Sequence, residues 1–233
     1  MNTRFATKGK YMGSKQFAKR FCLLFFLAAG ATALFTPPFQ VSDAQSHFNR
    51  ALQISYFEFR GVNKNGVSGG ILPRTLPLLE QRFANLQSPW FTYNIEDRWL
   101  HHLNVDLLVK ANRYRMNAPR KFLAAVGVNS YIPFLYVPAA VGLFIARLLS
   151  LSLLEGYYLA ELCNLLLFTA LATWSISKVP RSLGWLFAAI YFCPISLQLA
   201  GSINPAGSVM ALVGAISANL YVLKKRGVER ASK

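Results

Sequence analysis

Three ionisable residues, Asp43, His47 and Arg50, follow closely on the first apolar segment of the chain. Their spacings of four and three residues place them on one face if this stretch is helical. A carboxylate there can act as a general base toward a hydroxyl, and two cationic side chains can hold a phosphate. The alternative interpretation is structural: a helix N-cap at Ser42 or Asp43, with a local Asp43–His47 pair. Spacing alone favours this structural interpretation.

The composition of the chain indicates a membrane protein. Of 233 residues, 54% are hydrophobic and only 15% are charged, which is more apolar than ordinary globular domains. The net charge of +16 is compatible with nucleic acid, with an anionic membrane surface or with topology signals. The bases are divided among the flanks of apolar segments. We therefore expect the lipid bilayer as a partner and no nucleic acid.

Apolar runs and charges divide the chain into five parts. The predicted parts are a cytoplasmic basic N-terminus at 1–20, transmembrane helix 1 at 21–36, an extracytoplasmic loop at 37–156, transmembrane helices 2–4 at 157–223 and a cytoplasmic basic tail at 224–233. A cleaved signal peptide ending near Ala33 is the alternative for the first apolar segment. The fold class expected is an all-α polytopic membrane protein with about four transmembrane helices and an extracytoplasmic loop with juxtamembrane helices.

The apolar segment 131–149 is expected to lie at the outer surface as an interfacial helix. If it crossed the bilayer, Lys178, Arg181 and the basic tail would all lie outside, against the positive-inside rule. Pro133 and Pro138 would each remove a backbone hydrogen bond in hydrocarbon. The segment is therefore assigned to the loop.

The sequence predicts no metal site. Cys22, Cys163 and Cys193 lie within apolar runs and show no metal-like pairing. The pair His101-His102 lacks the H-E-x-x-H pattern of a zinc-binding helix. A solvated or interfacial patch is the better interpretation of this pair.

Three blocks of sequence together indicate a family. They are Pro38-Phe-Gln-Val-Ser-Asp-Ala-Gln-Ser-His-Phe-Asn-Arg-Ala-Leu-Gln-Ile-Ser55, Ser130-Tyr-Ile-Pro-Phe-Leu-Tyr-Val-Pro-Ala-Ala-Val-Gly142 and Gly201-Ser-Ile-Asn-Pro-Ala-Gly207. In content, order and separation they resemble the bacterial membrane-protein family known as domain of unknown function 2142. The resemblance covers the N-terminal half of a typical member. The resemblance leaves three alternatives open: an active transferase, a truncated or inactive chain, and a chain whose C-terminal half is encoded separately.

That family is similar to the GT-C superfamily of glycosyltransferases, which take a sugar from a polyprenyl-phosphate carrier at the outer face of the membrane. The resemblance implies Asp43 as the catalytic base. The residues that it implies for substrate binding are His47, Arg50, Tyr131, Tyr136 and Asn204. The implied donor is a polyprenyl-phosphate-linked sugar, with no further cofactor. The implied setting is cell-envelope glycan synthesis by a multi-pass protein of the bacterial cytoplasmic (plasma) membrane.

Three features depart from the family pattern. Ala44 stands where the family often has a second acid, Glu161 stands where an arginine is expected, and no acid follows Asn204-Pro205. The alternative function is a non-catalytic membrane assembly or transport component, with the outer loop as a docking module. Intramembrane charge pairs facing a cavity would favour transport, and this sequence has almost none.

Overall fold

The computed structural model describes residues 3–84, 105–124 and 131–231. The helices in these ranges are α1 (Thr3–Phe35), α2 (Ala44–Ser55), α3 (Leu76–Ala84), α4 (Val105–Ala111), α5 (Val137–Leu148), α6 (Leu153–Lys178), α7 (Arg181–Tyr191), α8 (Pro194–Ala200) and α9 (Pro205–Ala231), and the strands are β1 (Val62–Lys64), β2 (Val67–Pro73) and β3 (Arg120–Ala124). A 3-10 turn at Pro133–Tyr136 precedes α5. The predicted helical, polytopic fold class is confirmed, and a small sheet is added to it.

Three of the described helical segments are long and apolar enough to cross a membrane: Lys15–Phe35, Leu153–Lys178 and Pro205–Lys225. Each reaches the roughly 20 residues that a hydrocarbon core of about 30 Å requires. The apolar helical stretch Pro133–Leu148 is shorter than this. Its predicted position at the membrane surface, and the side on which each loop lies, stay predictions.

Within the region predicted to hold transmembrane helices 2–4, residues 183–200 form two helices rather than one continuous span. α7 ends at Tyr191, α8 begins at Pro194, and their axes are bent by 76°. A proline is tolerated at the first position of a helix but breaks a helix interior, which accounts for the new start. The Ser196 hydroxyl donates to the Ile190 carbonyl at 2.7 Å, across the break. The described helices therefore provide three spans, or four if this bent pair counts as one.

The chain folds as two compact units. One consists of residues 33–163 and 202–205, and the other of 1–32, 164–201 and 206–233. In the second unit, the Phe25 ring stacks between Phe21 and Phe168, with centroid distances of 5.2 Å to each. All three rings are buried, and such aromatic pairs add about 0.5–1.5 kcal/mol each beyond the burial of their area.

In the first unit, hereafter the loop unit, α2 is the central element. Phe48, Ala51 and Leu52 on this helix are fully buried, at the three- and four-residue spacing of an amphipathic helix. They belong to a core that also includes residues of α3, α5 and the start of α6. Because this face is held by apolar packing, the position of the polar residues on α2 is fixed.

A three-stranded antiparallel sheet, in the order β1-β2-β3, lies within the loop predicted at 37–156. β1 and β2 are joined by Asn65 and Gly66, which both have positive φ, as a two-residue type I′ hairpin requires. Gly69 pairs with Ala124 of β3, and a Cβ at Gly69 would collide with the Leu123 carbonyl. Glycine thus permits the close approach of β2 and β3.

The contact between α5 and α6 supplies a first prediction, at Gly142. A Cβ on Gly142 would lie 2.6 Å from the Leu159 carbonyl oxygen and 2.8 Å from the Ala160 Cα. Because both are backbone atoms, the helices themselves must separate. We expect Gly142→Ala to lower the free energy of unfolding by about 1–3 kcal/mol, measured by thermal unfolding of the detergent-solubilised protein.

Gly30→Ala on α1 is the matched control. The nearest atom to its added Cβ is the Leu165 Cδ2 at 3.5 Å, an ordinary van der Waals contact. A glycine-to-alanine change inside a helix gains up to about 1 kcal/mol, so this variant should unfold at or above the wild-type temperature. Equal losses in the two variants would contradict the close contact of α5 with α6.

Candidate functional site

Asp43 begins the site, in the turn that leads into α2. It occupies the N-cap position with left-handed backbone angles, φ 57° and ψ 16°, and its carbonyl accepts the His47 N–H at 3.0 Å. The carboxylate makes no capping hydrogen bond to the helix. It is exposed and accepts a hydrogen bond from the Ser42 hydroxyl at 3.3 Å. Asp43 therefore takes the position of a cap while its carboxylate faces solvent.

His47 lies one turn further along α2 and is buried, with 5% of its surface exposed. Its Nδ1 lies 2.8 Å from the Tyr136 hydroxyl, and its ring is stacked with Tyr131 at a centroid distance of 6.0 Å. Burial lowers the pKa of His47 from its usual 6.5, and the charge of Asp43 opposes this only in part. The imidazole is therefore neutral at neutral pH and acts as a hydrogen-bonding group rather than a cation.

Tyr136 is buried as well, at 1% exposed. Burial raises the pKa of its phenol, with Tyr131 acting in the same direction and Arg50 opposing. The phenol therefore stays protonated and keeps a hydroxyl beside the imidazole. In this neutral pair the phenol can donate to the imidazole nitrogen, so both groups are hydrogen-bonded without a buried charge.

Arg50 is 1% exposed and is held by neutral acceptors. Its guanidinium donates to the Gln53 side-chain oxygen and the Phe59 carbonyl, each at 2.7 Å, and to the Tyr131 carbonyl at 3.4 Å. Its Nε is buried with no hydrogen-bond partner in the described ranges. The ion pairs found in those ranges do not include Arg50. Its positive charge is therefore not neutralised by a described carboxylate.

Asn204 joins the site from a distant part of the sequence. Its side-chain amide donates to the Ser42 carbonyl at 3.4 Å, beside Asp43. The three blocks that carry the family resemblance thus contribute to one region of the loop unit. All six residues predicted for the site lie there, and the role of each remains a prediction.

Sequence reasoning missed Gln53, which connects Arg50 to the strand region. Gln53 is 1% exposed, accepts from Arg50 and donates to the Arg60 carbonyl at 2.9 Å. A Cβ on Gly70 of β2 would come within 3.2 Å of this side chain, so the glycine leaves room for it. The spacing of three from Arg50 was the available signal, since residues three apart on a helix are neighbours.

Glu80 on α3 was also missed, and it carries a pH-dependent prediction. Burial raises the pKa of Glu80 from 4.5 to about 7, and a hydrogen bond from Asn49 on α2 opposes the shift. A raised carboxyl pKa means that the folded protein binds more protons than the unfolded chain between these values. The contribution of Glu80 to the stability of the folded protein is therefore fully present below pH 4.5. It is lost as the pH rises through about 7.

We expect Glu80→Gln to remove this loss. At pH 8 the variant should be more stable than wild type, by on the order of 2 kcal/mol, and at pH 4 the two should be equal. Thermal unfolding across pH 4–8 measures the difference. Asp106→Asn, which removes an exposed carboxylate of the same predicted loop, is the charge-matched control, and an E80Q gain that is independent of pH would contradict the assignment.

Metal ligands do not come together in the ranges that the structure describes. No group of three or more His, Cys, Asp or Glu side chains there could hold a metal ion. The pair His101-His102 lies outside those ranges. Glu161, which departs from the family pattern, is buried on α6 at 6% exposed.

Comparisons with known proteins identify a family. No curated protein matches the chain, and no solved structure matches it. A family model described as a predicted membrane protein, DUF2142, matches residues 24–231. The match includes all three sequence blocks and every residue of the candidate site. The chain therefore belongs to the DUF2142 family of predicted membrane proteins.

Proposed function

We propose that this protein transfers a sugar from a lipid-linked phosphate carrier to a hydroxyl acceptor at the membrane surface, with Asp43 as the general base. The observation that carries the proposal is the pairing of an exposed carboxylate with a buried, positively charged and hydrogen-bonded cluster one to two helical turns away. A base that faces solvent can meet the acceptor. A positive potential behind it suits an anionic donor.

The reaction balances without a further reactant. Asp43 accepts the proton of the acceptor hydroxyl, whose oxygen attacks the anomeric carbon of the sugar. The bond from that carbon to the phosphate oxygen breaks, and the lipid phosphate leaves with the electron pair. The proton passes from Asp43 to water. Displacement from the opposite face inverts the configuration at the anomeric carbon.

Local structure supports a role for the cluster in balancing the phosphate. The N-terminal turn of α2 presents backbone N–H groups and a partial positive charge. Arg50 adds a full charge, although its terminal nitrogens already bind Gln53, Phe59 and Tyr131. Its contribution is therefore electrostatic, while His47 and Tyr136 offer hydrogen-bonding groups.

The conformation of Asp43 is a second line of support. Non-glycine residues with positive φ are uncommon, and strained conformations of this kind are concentrated at functional sites. Phe39 in the same turn also has a positive φ, of 65°, and it is fixed by packing against Phe48 and Tyr157. The core thus imposes the turn that exposes the Asp43 carboxylate.

The test is transfer by the purified full chain in liposomes. Polyprenyl-phosphate sugars that differ in the sugar are supplied one at a time together with a panel of glycan acceptors that have free hydroxyl groups, and released polyprenyl phosphate is measured against empty liposomes. We expect release with one donor class, and a slower release with Tyr136→Phe. Tyr221→Phe, on α9, is the matched control. A folded protein that binds a donor but releases no lipid phosphate would instead support the non-catalytic assembly or transport role.

A further inference from the structure

A second feature of the loop unit is an apolar groove between α5 and the segment that follows α2. The groove has a volume of about 320 Å³, within the range of about 300–1,000 Å³ of small-molecule sites. Its walls are formed mainly by Phe57, Phe59, Val137, Val141 and Phe144. Ser55 is the polar residue in its lining, and its hydroxyl already donates to the Leu52 carbonyl. The groove therefore suits a hydrocarbon chain.

Two arginines stand at the Phe144 end of the groove. The guanidinium carbon of Arg147 lies 4.3 Å from the Tyr56 ring centroid and 5.2 Å from that of Phe144. The guanidinium carbon of Arg120 lies 4.4 Å from the same Tyr56 ring. Phe144 in turn contacts Phe57 at a centroid distance of 5.6 Å. The cationic pair is thus continuous with the apolar walls.

The charges at this end do not cancel. Glu58 forms an ion pair with Arg120 at 2.8 Å, while Arg147 is in no ion pair among those found in the described ranges. Two guanidinium groups and one carboxylate leave one positive charge. Tyr56 is fixed between them, because its hydroxyl donates to the Met116 carbonyl at 3.1 Å. A ligand with a single negative charge would neutralise this remaining positive charge, and a phosphodiester carries one negative charge.

We propose that Arg120 and Arg147, positioned by Tyr56, bind the phosphodiester of an anionic phospholipid, and that one acyl chain of this lipid lies in the apolar groove. Charge complementarity selects the headgroup, since guanidinium groups form strong charge-assisted hydrogen bonds with phosphate oxygens. The lining selects a hydrocarbon chain over a peptide, because an extended peptide needs polar partners for its backbone.

The surroundings of the groove agree with a lipid. Along α5, Ile145 and Leu148 are exposed apolar side chains beside Arg147, and an arginine at a membrane interface meets headgroups at the level of its guanidinium. The site uses neither Asp43 nor His47. The inference therefore stands independently of the proposed transfer reaction and can fail separately from it.

Native mass spectrometry of the full chain in detergent tests the headgroup. The probe is dioleoyl phosphatidylglycerol, with dioleoyl phosphatidylcholine as the neutral lipid of the same chains. We expect Arg147→Gln to bind phosphatidylglycerol about tenfold more weakly than wild type. Arg113→Gln, an exposed arginine of the same unit, should bind as wild type does. Equal affinities of R147Q and R113Q, or equal binding of the two lipids by wild type, would overturn the proposal.

A groove-filling pair tests the acyl chain. Val141→Trp should weaken binding of dioleoyl phosphatidylglycerol by about tenfold and affect a dihexanoyl lipid less. Val109→Trp, at an exposed apolar residue of α4 outside the lining, should leave both affinities unchanged. Free glycerol 3-phosphate should compete poorly. If it competes as well as the lipid, the site takes a phosphate alone, and the lipid proposal is wrong.

Arg147→Lys keeps the test decisive if R147Q does not fold. Lysine retains the charge but lacks the planar fork of arginine. We expect an affinity for phosphatidylglycerol between those of wild type and R147Q, with the preference over phosphatidylcholine retained. A lysine variant that binds the two lipids equally would contradict the electrostatic part of the proposal.

Discussion

Asp43→Asn is expected to lower the rate of sugar transfer by about 10²–10⁴-fold, the contribution typical of a general base. The amide has the shape of the carboxylate but cannot accept the acceptor proton at neutral pH. The fold should not change, because asparagine tolerates the left-handed conformation that Asp43 adopts. The measurement combines the initial rate of release of polyprenyl phosphate with the unfolding temperature of the same preparation.

Two further variants separate chemistry from structure at this position. Asp43→Ala should lose activity and also about 1–2 kcal/mol of stability, because alanine is strained at positive φ. Asp106→Asn, which removes an exposed aspartate of the same predicted loop from its pair with Lys110, should keep the wild-type rate. Full activity in D43N would refute the base assignment, and a large drop in its unfolding temperature would assign Asp43 a structural role.

The long apolar elements could be predicted from the sequence because hydrophobicity over about 20 residues is a local property. α1, α6 and α9 contain three of the four segments predicted to span, although α6 begins at Leu153 rather than near 157. The proline at position 194 is a local signal for the break between α7 and α8. The hydrophobicity of the segment is uniform across the break and therefore does not indicate it. The bend between α7 and α8 is therefore set by the proline and not by the apolar composition of the segment.

The sheet could not be predicted in the same way. β2 contains Gly69, Gly70 and Pro73, residue types that are depleted in strands. Its partner β3 begins at Arg120, far along the chain, so the pairing is a tertiary choice. Close packing of Gly70 against Gln53 favours glycine at this position, although glycine has a low propensity for strands. Local rules fail where β2 approaches α2, which carries the candidate site.

Part of the candidate site could likewise be predicted from local spacing in the sequence, and part depends on residues that are far apart in the chain. The shared helical face of His47 and Arg50 follows from their spacing, and α2 provides it, whereas Asp43 precedes the helix at the N-cap. The contribution of Asn204 was accessible only through the family resemblance. The partners of Arg50 include the backbone carbonyls of Phe59 and Tyr131, and carbonyl positions carry no side-chain signature in a sequence.

Arg50→Met should have the largest effect on stability. Methionine matches the length of the arginine stem but leaves the Gln53 side-chain oxygen and two carbonyls without their donor. An unsatisfied buried acceptor such as the Gln53 oxygen costs about 1–3 kcal/mol, the two partly buried carbonyls cost less, and removal of a buried charge returns part of the total. We expect a net loss of about 2–4 kcal/mol in the free energy of unfolding, measured by unfolding in mixed detergent micelles.

Arg113→Met is the control for the loss of charge and should stay within about 0.5 kcal/mol of wild type. Arg50→Lys should lie between the two, because lysine keeps the charge but reaches fewer acceptors in fixed geometry. If R50M is as stable as R113M, the hydrogen bonds of Arg50 only offset its desolvation. The fold would then not need the arginine, and its charge would act on what binds beside Asp43, so R50M should lose transfer activity while remaining folded.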